Sequence, residues 1–233
     1  MKINDPNVVA REYASERGLL GRRDAYRYAD GPDAPALAVE LVLEVLPRRV
    51  LEVGCGPGEA AERIGASGAE VEALDISERM VALTRARGVK ARVGDVQELP
   101  FENESFDAAL AAWMLYHVPD VERGIAELAR VLRPGGRLVA VTNRVEHLRE
   151  LRELLGGEFA TRGFSDENGA EILLRHFARV EEREAGGWLN FPDRAAVAAY
   201  VDASRSLWAR ELPADFDGPL RVRRAPVIYV ATK

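Results

Sequence analysis

The 233-residue sequence predicts an α/β fold: a doubly wound, mostly parallel seven-stranded sheet with helices on both faces and an antiparallel last strand. Two observations support this prediction. Short apolar runs alternate along the chain with segments whose apolar residues recur at helical spacing. The first such run is followed at once by glycines and then by a helical segment, in the stretch VLEVGCGPGEA of residues 50–60. In folds of this class, ligands bind beyond the carboxyl ends of the strands, where this glycine stretch lies.

The first two thirds of the chain contain the regular alternation. Apolar runs predict strands at 49–53, 70–75, 89–93, 105–112 and 137–142. Helical spacing predicts helices at 34–46, 60–66, 78–87 and 121–132. Ser77 is the expected N-cap of the third of these helices, and Pro134-Gly135-Gly136 is expected to stop the fourth.

The last third is less regular. It predicts helices at 148–155, 167–177 and 193–211 and strands at 180–191 and 226–232. A helical insertion at about 192–220 separates the two late strands. We therefore expect an antiparallel pair at the sheet edge, with the insertion standing over the ligand site as a cap.

Composition narrows the class of protein. The formal net charge of -6 argues against a protein that grips nucleic acid, since such binding depends on clustered Lys and Arg. The sequence has no run of 18 or more apolar residues, and its start lacks the pattern of a secretion signal, so we expect a cytoplasmic protein without membrane insertion. The single cysteine, Cys55, has no partner for an internal disulfide or a zinc site, and we predict no metal.

The glycine loop matches neither of two common phosphate-binding patterns. Counting from Gly54, a dinucleotide fingerprint needs its third glycine where Glu59 stands. A carboxylate in the first helical turn would also repel a pyrophosphate there. No Gly-Lys-Ser/Thr sequence follows the loop, which excludes a P-loop.

Five ordered motifs, which together cover roughly residues 48–142, resemble those of another family. The pattern Glu/Asp-x-Gly-x-Gly-x-Gly occurs at 52–58, and the later motifs are VEALDIS with Asp75, VGDVQELPF with Asp95, FDAALAAWMLYHVPD and ARVLRPGGRLVAVT. In this order they resemble the class I S-adenosylmethionine-dependent methyltransferases. The closest similarity is to the small-molecule subgroup called type 11, which includes quinone-biosynthesis-like enzymes.

The resemblance implies a set of cofactor contacts. Asp75 would accept hydrogen bonds from both ribose hydroxyls, and Glu52 would hold the methionyl ammonium, largely indirectly. Around the adenine, the implied contacts are the Asp95 carboxylate, the Val96 N–H and the apolar side chain of Ile76 or Met80. Near the methionyl portion they are the loop backbone at Gly54, Cys55 and Gly56, the strand end at Ala111 and Ala112, and the Tyr13 hydroxyl with Arg17 next.

Each of these residues also has a purely structural interpretation. Asp75 suits a helix cap, Asp95 an ordinary turn, and Glu52 an orienter of the loop. Tyr13 suits aromatic packing, and Cys55 suits a small apolar residue in a tight turn. The sequence alone leaves these alternatives open.

Methyl transfer is an in-line displacement, so alignment and exclusion of water matter more than catalytic side chains. His117 is the best candidate general base, with Tyr116 the other nearby polar group. A structural histidine is the alternative. An aromatic set in the last third suggests either an acceptor pocket or plain core: Trp188, Phe191, Tyr200, Trp208 and Phe216.

We therefore expect one methyltransferase domain over 1–233, with a lid segment at 1–33, a cofactor-binding core at 34–145 and a C-terminal part at 146–233. The expected activity transfers a methyl group from S-adenosyl-L-methionine to O, N or C of a small metabolite and leaves S-adenosyl-L-homocysteine. We expect the protein to be a monomer or a homodimer. The alternatives are an RNA or other macromolecule methyltransferase, a non-catalytic cofactor-binding protein of this fold, and a dehydrogenase. The acidic composition opposes the first, as does the absence of an Asn/Asp-Pro-Pro-Tyr/Phe sequence at 112–115.

Overall fold

Helices and strands alternate through the central part of the chain in the computed structural model, which describes residues 4–157, 163–204 and 211–233. The helices are α1 Pro6–Glu12, α2 Arg17–Asp24, α3 Ala34–Leu43, α4 Glu59–Gly65, α5 Glu78–Ala86, α6 Val121–Val131, α7 Arg149–Leu154, α8 Gly169–Leu174 and α9 Arg194–Ala203. The strands are β1 Ala29–Asp30, β2 Arg49–Val53, β3 Glu70–Asp75, β4 Lys90–Val93, β5 Phe106–Ala112, β6 Leu132–Asn143, β7 Arg179–Glu184, β8 Gly187–Phe191, β9 Leu220–Arg224 and β10 Pro226–Thr232. Short 3₁₀ turns cover Ala25–Tyr28 and Leu115–His117.

Seven strands form the main sheet, in the order β4-β3-β2-β5-β6-β10-β7. The strands from β4 to β6 are parallel, and β10 is antiparallel to both of its neighbours. The predicted fold class, including the antiparallel last strand, is confirmed. The chain runs outward from β2 to β4 and then returns to place β5 beside β2. This reversal makes the carboxyl ends of β2 and β5 the topological switch point, where ligands bind in such sheets.

Both faces of the main sheet are covered by apolar layers because side chains alternate along each strand. Leu51 and Val53 of β2 pack with Ile125 and Leu128 of α6 on one face. On the other face, Val50 of β2 packs into a cluster that includes Val39 and Val42 of α3 and Ile64 of α4. Because β2 is buried on both faces, its buried positions are apolar except for Glu52.

A second sheet, in the order β1-β8-β9, was not predicted. The predicted strand at 180–191 is wrong as one strand, because it divides into β7 of the main sheet and β8 of the small one. The division falls at Gly186-Gly187, where the backbone approaches β1 so closely that a Cβ on Gly187 would lie 2.2 Å from the Asp30 carbonyl oxygen. The expected helical cap therefore contains a three-stranded sheet as well as helices.

Several predicted boundaries also differ. The predicted helix at 121–132 ends at Val131, and β6 begins at Leu132, so Pro134-Gly135-Gly136 lies inside the span of the strand and does not stop the helix. The predicted helix at 193–211 is α9 as far as Ala203, while 205–210 lies outside the described residues. The strand β9, Leu220–Arg224, begins where the expected helical insertion ends, and it was not predicted. Within the described ranges, no helix has the length and apolar character needed to cross a membrane.

Candidate cofactor and methyl-transfer site

The carboxyl ends of β2, β3, β4 and β5 lie side by side at one edge of the sheet. The glycine loop follows β2 and leads into α4, whose N-cap is Gly58. Amides of the loop bind back to the sheet, since Gly54 and Cys55 both donate to the Leu74 carbonyl, at 2.7 and 3.1 Å. The loop is therefore fixed over the ends of β2 and β3.

The three loop glycines have positive φ, but their surroundings differ. A Cβ on Gly54 would lie 2.6 Å from the Met114 Cβ, and one on Gly58 would lie 2.8 Å from the Thr84 Cα. A Cβ on Gly56 would have only the Leu19 Cδ2 of α2 within 4 Å among the described residues, at 3.9 Å. Close packing thus requires glycine at positions 54 and 58, whereas the backbone of Gly56 leaves space for a ligand at the switch point.

Asp75 is the last residue of β3, and its carboxylate faces the glycine loop. One oxygen accepts from the Gly56 N–H and the other from the Ser77 N–H, both at 2.9 Å. Ser77, as predicted, is the N-cap of α5, which removes that role from Asp75. Burial raises the pKa of the Asp75 carboxyl, although the backbone N–H groups of Ser77, Gly56 and Ile76 oppose the shift. A carboxylate can accept several hydrogen bonds, so the group also suits two vicinal hydroxyls.

Glu52 lies in β2 on the same face of the sheet as Asp75. It is 4% exposed, and the Ala61 backbone N–H of α4 donates to it. The second carboxylate oxygen, Oε2, has no hydrogen-bond partner among the described residues. Burial, with a smaller contribution from the nearby Asp75 charge, raises the pKa of Glu52 to about 8. A buried acceptor without a donor calls for a donor from a ligand.

The expected adenine contacts follow β3 and β4. Asp95 accepts from the backbone and side-chain nitrogens of Gln97, at 2.9 and 2.8 Å. Val96 has its side chain in the core. Ile76 is 57% exposed whereas Met80 is fully buried, so only Ile76 presents an apolar surface to a ligand. Of the two β5 residues, Ala111 is fully buried and Ala112 is partly exposed.

The structure brings Tyr13 and His117 together. The Tyr13 hydroxyl lies 3.0 Å from His117 Nε2, with the two rings edge to face at 5.5 Å between centroids. The expected Tyr13 contact was the methionyl carboxylate, and in this structure the hydroxyl contacts the candidate base instead. The Tyr116 ring lies 4.5 Å from the His117 ring. Arg17, the second candidate for the methionyl carboxylate, is exposed at the start of α2.

Residues 6–28 cover the loop and the end of β3, and we call this segment the lid. Its backbone is attached at Tyr13, whose carbonyl accepts from the Ser77 hydroxyl at 2.9 Å. Ion pairs join Glu16 to Arg79 of α5, at 2.7 Å, and Arg23 to Glu59 of α4. The sequence did not predict these contacts, because partners 36 to 64 residues apart leave no local signal.

Two further contacts fix the lid. Arg22 forms an ion pair with Glu12 at 2.5 Å and donates to the Ala203 carbonyl of α9 at 2.9 Å. Both partners of this pair are largely buried. The Glu12 pair lies within the lid and holds the Arg22 guanidinium in position, and the hydrogen bond to the Ala203 carbonyl joins the lid to α9. The lid is thus anchored to the C-terminal part of the chain as well as to the core.

Three of the predicted acceptor aromatics belong to the core. Phe191 and Tyr200 are almost fully buried in the cluster between the small sheet, α7 and α9, with Phe216 packed against it. Trp188 lies against the guanidinium groups of Arg221 and Arg223, at 4.2 and 4.9 Å from the ring centroid. Trp208 lies outside the described residues. The core interpretation is therefore correct for Phe191 and Tyr200.

Cys55 behaves as the small apolar residue that its position suggested. It is 5% exposed, and its sulfur lies 3.3 Å from the Thr84 hydroxyl. Burial raises the pKa of this thiol to about 12, so it stays protonated at neutral pH. In the part of the chain that the structure describes, no three His, Cys, Asp or Glu side chains form a group that would hold a metal ion.

The residues at the switch point fit S-adenosylmethionine. Its ribose presents two vicinal hydroxyls, which match the carboxylate of Asp75. Its methionyl ammonium matches Glu52 Oε2, which has no hydrogen-bond partner within the described ranges. Two buried carboxylates also suit a ligand that is positively charged at both nitrogen and sulfur. A phosphate would meet charge of its own sign here and would be repelled.

Comparison with known proteins agrees with this geometry. Residues 51–140 match the family described as "Methyltransferase domain". An uncharacterized methyltransferase of Mycobacterium tuberculosis is 36% identical over 178 residues, which cover 75% of this chain and 71% of the relative. The ubiquinone biosynthesis O-methyltransferase of Xanthomonas oryzae is 38% identical over 129 residues, covering 49% of this chain and 54% of the relative.

Among solved structures, a Thermotoga maritima protein described as a S-adenosylmethionine-dependent methyltransferase, possibly a histamine N-methyltransferase, has a TM-score of 0.63. The match covers 96% of this chain and 99% of the other at 22% identity, so it supports the fold alone. The chain belongs to the S-adenosylmethionine-dependent methyltransferase family. It is a methyltransferase that uses S-adenosylmethionine, as its motifs predict.

Proposed function

We propose that this protein methylates a small molecule and binds its methyl donor at the switch point through Asp75 and Glu52. The observation that carries the proposal is the Asp75 carboxylate, held at the switch point by the Gly56 and Ser77 amides. The relatives named for quinone biosynthesis support a small-molecule acceptor. The acidic net charge of -6 disfavours the nucleic-acid alternative.

The residues have distinct parts in this proposal. Asp75 fixes the ribose, Glu52 receives the ammonium, Ile76 and Asp95 contact the adenine, and the open backbone at Gly56 lies against the methionyl portion. When bound, S-adenosylmethionine supplies a methyl group on a cationic sulfur and leaves as the thioether S-adenosylhomocysteine. The lid then excludes water, which keeps the donor and the acceptor aligned and unhydrated.

Asp75→Ala tests the cofactor site. Loss of the carboxylate removes two charge-assisted hydrogen bonds, so we expect the Kd for S-adenosylhomocysteine to rise at least tenfold, or about 1.4 kcal/mol. Isothermal titration calorimetry measures this directly. Glu70→Ala is the matched control, because Glu70 begins the same strand at its opposite, exposed end.

Asp75 also binds two backbone amides, so Asp75→Asn is measured alongside it as a variant of the same size. Thermal unfolding and circular dichroism verify that each variant is folded. A rise in Kd of less than twofold in folded Asp75→Ala would remove the proposed ribose contact. Failure of the wild-type protein to bind S-adenosylhomocysteine at all would overturn the site as a whole.

A further inference from the structure

The Tyr13–His117 contact connects the lid to the candidate base. The 3.0 Å distance between the Tyr13 hydroxyl and His117 Nε2 is a normal hydrogen bond. The two residues are 104 positions apart and belong to different elements, so this contact exists only when the lid covers the site. His117 follows β5, beside Ala112 at the switch point.

The chemistry of the two groups allows the Tyr13 hydroxyl to donate. Burial raises the pKa of the Tyr13 phenol far above its usual range, so the hydroxyl keeps its proton. The charged and titratable groups around it are Tyr116, Arg22, Glu12 and Asp75. A protonated phenol can donate to an imidazole nitrogen or accept from it, according to the tautomer. We assign the tautomer in which Nδ1 carries the hydrogen and Nε2 accepts from the Tyr13 hydroxyl.

This arrangement also controls access to the base. With the lid in place, the Tyr13 hydroxyl occupies the hydrogen-bonding position of Nε2. An acceptor proton therefore reaches that nitrogen through the Tyr13 oxygen, which keeps lone pairs free to accept it.

We propose that Tyr13 and His117 form a proton relay that the lid completes, and that the methyl acceptor is a hydroxyl compound that must lose a proton. This inference rests on the proposed function and names the class of its substrate. As the acceptor oxygen bonds to the methyl carbon, the electron pair of the carbon–sulfur bond stays on sulfur. The acceptor proton moves to the Tyr13 oxygen while the Tyr13 proton moves to His117 Nε2, so the released proton ends on the imidazole.

The relay is physically joined to the cofactor site. The Ser77 N–H donates to Asp75, and the Ser77 hydroxyl donates to the Tyr13 carbonyl, both at 2.9 Å. One residue thus touches the proposed ribose-binding carboxylate and the backbone that carries the Tyr13 ring. Occupation of the Asp75 site by the cofactor is therefore expected to favour the closed lid and the assembled relay.

Nitrogen NMR of the ¹⁵N-histidine-labelled protein tests the relay without any acceptor. At neutral pH, with and without S-adenosylhomocysteine, we expect the wild-type His117 to carry its hydrogen on Nδ1 and to have an unprotonated Nε2. His117→Asn assigns the signal. In Tyr13→Phe the two tautomers should become mixed, whereas Tyr28→Phe should leave the signal unchanged. Tyr28 is the matched control because it lies in the same lid and packs on Phe191.

Turnover provides the second readout, with hydroxyl compounds found by screening for methyl uptake from labelled S-adenosylmethionine. Tyr13→Phe and His117→Asn should each lower kcat at least tenfold while the Kd for S-adenosylhomocysteine changes less than twofold. The double variant should be no slower than the slower single one, because both residues serve one proton path. The acid limb of the kcat profile should disappear in both single variants.

The outcomes separate the relay from the proposed function. A wild-type His117 with its hydrogen on Nε2, or a tautomer that Tyr13→Phe leaves unchanged, would overturn the relay. Methylation of amines alone, with full turnover in Tyr13→Phe, would overturn it as well and leave the methyltransferase intact. Loss of S-adenosylhomocysteine binding by the wild-type protein would instead be a failure of the proposed function.

Discussion

The most consequential single residue is Glu52, an acid buried at the switch point. Its raised pKa, about 8 against 4.5 for an ordinary glutamic acid, results first from burial. Below that value the side chain is protonated in the folded, unliganded protein. A cationic ammonium next to Oε2 favours the ionised form, so binding is expected to lower the pKa and release a proton.

We therefore expect S-adenosylhomocysteine binding near pH 6 to release about one proton, and the affinity to rise with pH until it levels off near pH 8. Calorimetry in buffers of different ionisation enthalpy measures the proton count. In Glu52→Gln the release attributable to this residue should vanish. Glu72→Gln is the control, since Glu72 lies in the adjacent strand and pairs with Arg92. Equal proton release in wild type and Glu52→Gln would contradict the assignment.

The raised pKa of Glu52 also makes the free energy of unfolding depend on pH. Between pH 4.5 and about 8 the folded protein holds a proton on Glu52 that the unfolded chain has released. The free energy of unfolding therefore falls as pH rises through this window and levels off above it. The contribution should be absent in Glu52→Gln, as urea unfolding at pH 5 and pH 9 would reveal.

At the scale of elements, the glycine loop combines two different constraints. Gly58 packs against the Thr84 backbone of α5, whereas a Cβ on Gly56 would have, in the described part of the chain, just Leu19 of the lid within 4 Å. We expect Gly58→Ala to cost about 2 to 5 kcal/mol of unfolding free energy, from left-handed strain plus overpacking. Gly56→Ala should cost only the strain, about 1 to 2 kcal/mol, and should mainly weaken S-adenosylhomocysteine binding.

Urea unfolding and calorimetry distinguish the two effects. Gly68→Ala provides the baseline for strain without contact, since Gly68 also has positive φ and a Cβ there would meet nothing within 4 Å among the described residues. Gly58→Ala should therefore destabilise the protein more than Gly68→Ala does. Equal losses of unfolding free energy would show that packing against Thr84 is not the reason for glycine at position 58.

The elements that the sequence predicted are those determined by local pattern. Apolar residues dominate β2 and β5, which are buried along most of their length, while β3 alternates polar and apolar residues before its buried end. The division between β7 and β8 was missed because Val180 to Phe191 stays strand-like throughout. It depends on the close approach of β1, more than 150 residues away in sequence.

The site residues likewise fall into those that local motifs predicted and those whose contacts depend on the tertiary fold. Asp75, Glu52 and the glycines occur in motifs of fixed spacing, and the structure places them together at the switch point. The attachment of Tyr13 to Ser77 and His117 depends on how the lid folds back over the core. Such a contact leaves no pattern in the sequence. The sequence therefore suggested Tyr13 as a site residue, with the methionyl carboxylate as its partner, but did not predict its contact with His117.

At the scale of the whole molecule, the lid connects three parts of the chain. It pairs with α4 and α5 of the core, contacts His117 beyond β5, and is anchored to α9 through Arg22. The exposed pairs are each worth only about 0 to 1 kcal/mol. The closed position is therefore held by several weak contacts and by the hydrogen bond from Arg22 to the Ala203 carbonyl, and such a segment opens at a lower free energy than the core.

A ligand that contacts both the lid and the core stabilises the closed state by mass action, by about 2.7 kcal/mol at one hundred times its Kd. Saturating S-adenosylhomocysteine should therefore slow amide hydrogen exchange in residues 6–28 by up to about a hundredfold, measured by mass spectrometry. The edge strand β7, at the opposite side of the sheet from β4, is the internal control and should exchange equally fast with and without ligand. Ser77 joins Asp75 to the lid. Ser77→Ala should therefore lower the fold-protection of residues 6–28 from hydrogen exchange by a larger factor than it raises the Kd for S-adenosylhomocysteine. Equal exchange of the lid in the free and saturated protein would mean that the lid takes no part in holding the ligand.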